Sequence, residues 1–270
     1  MKSIGEMALK KKKGLEQGLE TGSLAARKFL EIYPTTDNST GLQQVFFDLI
    51  KFGESVPSIG RKKIFTMIFS ESGHLLIDET FEEVDMPEQK RKGVKTTPLV
   101  WSVMYNTSWL AESVELLISL GANPDICDMN AAGPLFQISS VSFLDEAMMR
   151  TVEILLDNKA NVMIKDVGGK TALHLAAFNG CCKLAELLIQ RGANTEDKDN
   201  EGVTPLHAAA IRGNSAMVKL LLRHDVDVRI LDNLGRTAES LAQAHGHSGI
   251  RRLIAAEDAR KDMEDLFKNK

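Results

Sequence analysis

Apolar positions in the second half of the chain arrive in a rhythm that repeats. Thr171-Ala172-Leu173-His174-Leu175-Ala176-Ala177 is followed by Gly180, then by Leu187-Leu188 and Gly192-Ala193-Asn194. The same order returns in Thr204-Pro205-Leu206-His207-Ala208-Ala209-Ala210, with Gly213 and Leu220-Leu221-Leu222. The spacing from Thr171 to Thr204 is 33 residues, and from Thr204 to Thr237 it is 33 again. Each period predicts two short helices. Thr204 stands where a helix begins and its hydroxyl can accept from an orphan amide of the first turn. Pro205 suits the first helical position, where its missing N–H is no loss. The alanines let this first helix approach its neighbours, and Gly180 or Gly213 ends it in the left-handed conformation. The leucines belong to the second helix, which Gly192 closes, and Asp199-Asn200-Glu201-Gly202 is turn chemistry leading into the next period. One such unit cannot cover its own leucine face, so units must stack.

A fixed period of this length carrying T-P-L-H-x-A resembles the ankyrin-repeat family. The resemblance implies an all-α solenoid of stacked helix-turn-helix units over 96–256, about five repeats, the first two with insertions and the last a cap. Thr97-Pro98-Leu99 opens the first, whose inner segment is about three residues longer than the pattern and has Val100 in the histidine slot. Gly133-Pro134-Leu135-Phe136 opens the second, with its extra residues expected between Ser139 and Asp145. Repeats three and four are regular. The fifth, from Thr237 to Leu253-Ile254, departs from the pattern at the proline and histidine, as a polar closing unit should.

Outside the array the pattern is weaker. Residues 1–40 form a leader containing Lys10-Lys11-Lys12-Lys13, partly disordered, with a short helix over Leu24 to Leu30. Residues 41–95 form an N-terminal region in which Leu42, Val45, Phe46, Leu49 and Ile50 fall at helical spacing. Within it, Lys63 to Phe69 reads either as the outer helix of a degenerate capping repeat or as one arm of a hairpin. The helical version is favoured because an array needs an atypical end unit. Glu79 to Lys95 reads as a surface loop, and 257–270 as a charged helical tail.

Composition narrows the function classes. The chain has 270 residues, 43% hydrophobic and 26% charged, with a net charge of −4 that argues against direct nucleic-acid binding. Three cysteines, Cys127, Cys181 and Cys182, make no disulfide framework and point to a reducing compartment. The first residues lack the apolar core of a signal peptide, and no run is long and apolar enough to span a bilayer. A cytoplasmic location is expected, with nuclear import open through Lys10 to Lys13 and Lys90-Arg91-Lys92.

Candidate chemistry thins out on inspection. The resemblance gives His174 and His207 the slot whose ring ties one unit's turn to the next, and no four N/S ligands converge for zinc. His245 and His247 are two residues apart and so not on one helical face, and His224 is read as replacing the outer-helix glycine. Cys182 follows a helix start, where a thiol can be activated, but its slot is that of a packed residue. No nucleophile triad or phosphate loop is present, so no catalytic residue, metal or cofactor is assigned, and the chain is read as a non-enzyme.

What remains is the concave face, where the resemblance implies that inner-helix ends and turn tips hold a partner. Mapped by spacing, the inner-helix pairs are Met104 with Tyr105, Ser140 with Val141, Phe178 with Asn179, Ile211 with Arg212, and Ala244 with His245. The tips carry Met129-Asn130, Asn200-Glu201 and Asn233-Leu234. Met104, Tyr105, Phe178 and Ile211 form an expected row of exposed apolar side chains, the kind that marks a contact surface. The expected partner is another protein, with the chain a monomer or a member of a hetero-complex. The expected role is adaptor, scaffold or regulatory subunit, the alternative being a nuclear regulator of transcription that binds a transcription factor or cofactor.

Overall fold

The computed structural model describes residues 78, 81–82, 95–104, 109–141 and 144–268. Tyr105, the basic runs at Lys10 to Lys13 and Lys90 to Lys92, and the expected helices and hairpin of 1–77 lie outside the described residues. The chain divides into two compact units, Met1–Met129 and Asn130–Lys270.

In the first unit, strands β1 (Phe81–Glu82) and β2 (Lys95–Thr96) pair antiparallel, Phe81 opposite Thr96 and Glu82 opposite Lys95. The segment expected to be all loop from Glu79 to Lys95 is therefore pinned at its two ends. Helix α1 (Pro98–Met104) follows, its start held by the Thr97 hydroxyl, which accepts from the Val100 amide at 3.3 Å. Helix α2 (Leu110–Ser119) packs on it, and Leu99, Trp101, Leu110 and Leu117 are fully buried between them and their surroundings.

The second unit repeats one plan four times. Its helices are α3 (Pro134–Ser139) and α4 (Glu146–Asp157), α5 (Ala172–Asn179) and α6 (Cys182–Gln190), α7 (Pro205–Arg212) and α8 (Ser215–Leu222), and α9 (Ala238–Ala244) and α10 (Ser248–Lys268). The inner helices α3, α5, α7 and α9 pack in sequence on one another, and the outer helices lie against them. Alanines explain the close inner packing: Ala176, Ala177, Ala209 and Ala210 have no exposed surface. Leu155, Leu173, Leu184, Leu188 and Leu221 fill the layer between inner and outer helices. In the regular repeats two residues join inner helix to outer. In the second repeat the corresponding stretch runs from Ser140 to Asp145, which is where the extra residues were expected. Asp145 caps α4, its carboxylate accepting from the Met148 amide at 2.7 Å.

Three readings need correction. The slot that ends the outer helix in the left-handed region is filled by Lys159, Gly192 and Asp225 in successive repeats, so Asp225 (φ 54°), not His224, replaces the glycine. Cys182 is only half-buried, the core of its helix being Leu184, Ala185 and Leu188. Helix α10 runs unbroken through the boundary drawn at residue 256. Ile250 and Ile254 bury its first half. Farther on, Asp258 and Asp262 meet Arg229, and the Lys261 ammonium donates to the carbonyls of Asp225 and Val226.

Candidate functional site

Two sets of residues make up the candidate site of the second unit: the last turns of the inner helices and the tips of the turns between repeats. Both are held by hydrogen bonds that run from each repeat to the next.

At the start of the inner helices the two buried histidines do the joining. His174 Nδ1 lies 3.1 Å from the Thr171 amide nitrogen, and its Nε2 lies 3.0 Å from the Val203 carbonyl. His207 repeats this with the Thr204 amide at 3.2 Å and the Arg236 carbonyl at 3.2 Å. An amide N–H can only donate and a carbonyl can only accept, so each ring is neutral, accepting at Nδ1 and donating from Nε2. Val203 and Arg236 immediately precede the capping threonines Thr204 and Thr237 of the following repeats, so each ring fastens its own cap to the next repeat's. Burial pushes both histidines below their usual pKa, although the carbonyl bonds pull the other way.

At the other end of the inner helices the fastening groups are amides and a third histidine. Asn214 donates to the carbonyls of Ala177 at 3.0 Å and Phe178 at 2.8 Å, and His247 Nε2 reaches the Ile211 carbonyl at 3.1 Å. Asn179 donates to Ser139, Ser140 and Val141 carbonyls at 3.2–3.3 Å. The last turns of α3, α5 and α7 are thereby fixed by the repeat after each.

On these fixed turns stand the exposed side chains. Phe178 is 42% exposed, and the Arg212 guanidinium carbon lies 4.6 Å from the centre of its ring, a cation–π contact linking α5 to α7. Ile211 is half-buried, Ser140 and Ala244 are exposed, and Val141 is half-buried. His245 is exposed in the turn after α9, where its ring lies parallel to that of His247 with centroids 6.5 Å apart. The spacing argument against a shared helical face does not apply, because neither residue is helical.

The tips form a second ladder. The Val167 amide donates to the Asn130 carbonyl, the Asn200 amide to Gly168 and the Asn233 amide to Glu201, all at 2.9–3.0 Å. The Asn200 and Asn233 side chains add bonds to the carbonyls of Val167 and Asn200. Under each tip an aspartate closes the turn: Asp199 accepts from Glu201 and Val203, and Asp232 from Leu234 and Arg236. Burial raises the pKa of Asp232, but the Arg236 amide and guanidinium and the Leu234 amide outweigh it and hold the carboxyl below its usual value. Val167 and Leu234 project into solvent at 66% and 74% exposure, and Glu201 is exposed between them. In the first unit, Met129 is exposed at its tip and Met104 is half-buried at the end of α1.

Of the residues singled out by sequence, the structure brings Phe178 and Arg212 together. It turns the amides of Asn179, Asn200 and Asn233 inward on neighbouring repeats. Sequence reading missed Asn214 and His247, whose signal is a polar residue directly after a helix-ending glycine, and Val167, which sits in the tip position of the third repeat.

Other chemistry does not assemble. Burial pushes the thiols of Cys127, Cys181 and Cys182 up, so the start of α6 does not activate its cysteines. Among the described residues no group of three or more His, Cys, Asp or Glu side chains converges on a metal position, and no helix is long and apolar enough to cross a membrane. The family model described as "Ankyrin repeats (3 copies)" matches residues 110–199 and 192–265, more than half of the chain. No curated protein matches it.

Proposed function

This chain belongs to the ankyrin-repeat family, whose repeats are generic protein-interaction modules, and from that premise we infer a non-catalytic adaptor, scaffold or regulatory subunit. Its partner is another protein, held on the inner-helix face of the second unit. The observation that carries this reading is Phe178 under Arg212, an exposed aromatic and a cation on helix ends that neighbouring repeats hold still. Side chains on such a frame lose little conformational freedom when a partner arrives, which lowers the ordering cost of binding. Aromatic and arginine side chains are also the anchors that dominate interface energies.

The test is a double substitution. Phe178→Ala with Ile211→Ala is expected to weaken capture of the native partner by roughly thirtyfold, the effect of about 2 kcal/mol at a hot spot. The thermal midpoint should stay nearly unchanged, since Phe178 is exposed and Ile211 only half-buried. A pull-down from the native cell that recovers the same proteins at the same yield with both changes in place contradicts the assignment.

A further inference from the structure

We propose that the face formed by the ends of α5 and α7 takes an acidic peptide segment, one that sets a carboxylate on Arg212 beside an apolar side chain lying against Phe178 and Ile211. The proposal rests on the interaction reading above and names the chemistry of its partner. A body that covers Phe178 must also cover Arg212, because the guanidinium lies 4.6 Å from the ring centre. Among the described residues no carboxylate forms an ion pair with Arg212. The carboxylates under the turn tips are held by other groups: Asp232 by Arg236 and its own turn, and Asp199 by the amides of Glu201 and Val203. Glu239, on α9, is half-buried, and Glu201 stands out at the tip.

A charge taken out of water without a partner is strongly unfavourable, so the covering body has to bring an acceptor of its own. Arginine presents a planar fork that matches a carboxylate, and Arg212, held over the Phe178 ring, is itself exposed to such a contact. A peptide fits this pattern because the face also carries apolar side chains, the half-buried Ile211 and the exposed Ala244, beside the exposed imidazole of His245.

The experiment pans a random peptide library displayed on phage against the full chain and measures the enriched peptides by fluorescence anisotropy. Peptides with Asp or Glu next to an apolar residue are expected. Their affinity should fall at least about tenfold with Arg212→Glu and with rising salt, and stay unchanged with Arg150→Glu, an exposed cation on the outer helix α4. Enriched peptides without an acidic bias that are still lost with Phe178→Ala and Ile211→Ala overturn the acidic partner and leave the interaction face standing. Peptides indifferent to all three inner-face substitutions overturn both. A single-stranded oligonucleotide that binds as tightly, and is lost with Arg212→Glu, overturns the peptide assignment.

Discussion

Gly202→Ala is expected to destabilise the protein by about 2–4 kcal/mol, although the change adds only one methyl group. Two penalties combine. Gly202 has φ +76°, a left-handed conformation that any side chain resists by about 1–2 kcal/mol. A Cβ placed there would also stand 2.7 Å from the backbone nitrogen of Asn233 and 2.5 Å from its side-chain oxygen. That nitrogen is the donor to the Glu201 carbonyl, so the methyl group would push apart the rung that joins two repeats. Gly235→Ala is the matched control. Gly235 has a similar φ of +73° but nothing within 4 Å of its Cβ, so it should lose only the conformational part, about 1 kcal/mol. Urea unfolding of the two variants checks this: equal losses would mean that the tip ladder carries no stability.

The second large effect is expected at the histidines. His207→Ala should cost about 2–4 kcal/mol, because it leaves the buried Thr204 amide without its Nδ1 acceptor and the Arg236 carbonyl without its donor. His174→Ala should behave alike through Thr171 and Val203. The same geometry predicts a response to acid. Both rings have native pKa values below the ordinary histidine value near 6.5, so below that pH the unfolded chain binds more protons than the native one. Stability contributed by the neutral rings is complete above about pH 6.5 and declines as the pH falls from there toward the native pKa values. Thermal midpoints measured from about pH 7.5 to 5.5 should fall for the native chain and fall less for His174→Asn with His207→Asn. A midpoint independent of pH over that range would contradict the assigned ring states.

Much of this fold is legible in the amino-acid sequence, and the physical reason is repetition. The leucines of α6 and α8, the capping threonines and the helix-ending glycines recur at 33-residue spacing, so each repeat confirms the reading of the one before. The histidine slot was legible for the same reason. What local spacing conceals is where a side chain goes once repeats are stacked. Asn179 reads as an exposed inner-helix residue and Asn200 and Asn233 as turn tips, yet each finds a carbonyl on the preceding repeat, and those partners are more than 30 residues away. Asn214 and His247 escape notice because one slot is filled by different residue types that make the same kind of bond. Cys181 takes that slot after Gly180, and there Asn179 supplies the amide from two positions earlier. The replacement of glycine at Asp225 was misread by one position, as His224, because a left-handed residue other than glycine has no signature of its own.

The central claim is that a partner rests on inner-helix ends and turn tips rather than on the outer helices. Hydrogen exchange of the full chain, free and bound to the partner recovered by affinity capture, tests it most directly. Binding should slow exchange around 177–181, 200–203 and 210–214, with α4, α6 and α8 unchanged. Slowing confined to those outer helices, with the ends of α5 and α7 exchanging as in the free protein, would contradict it.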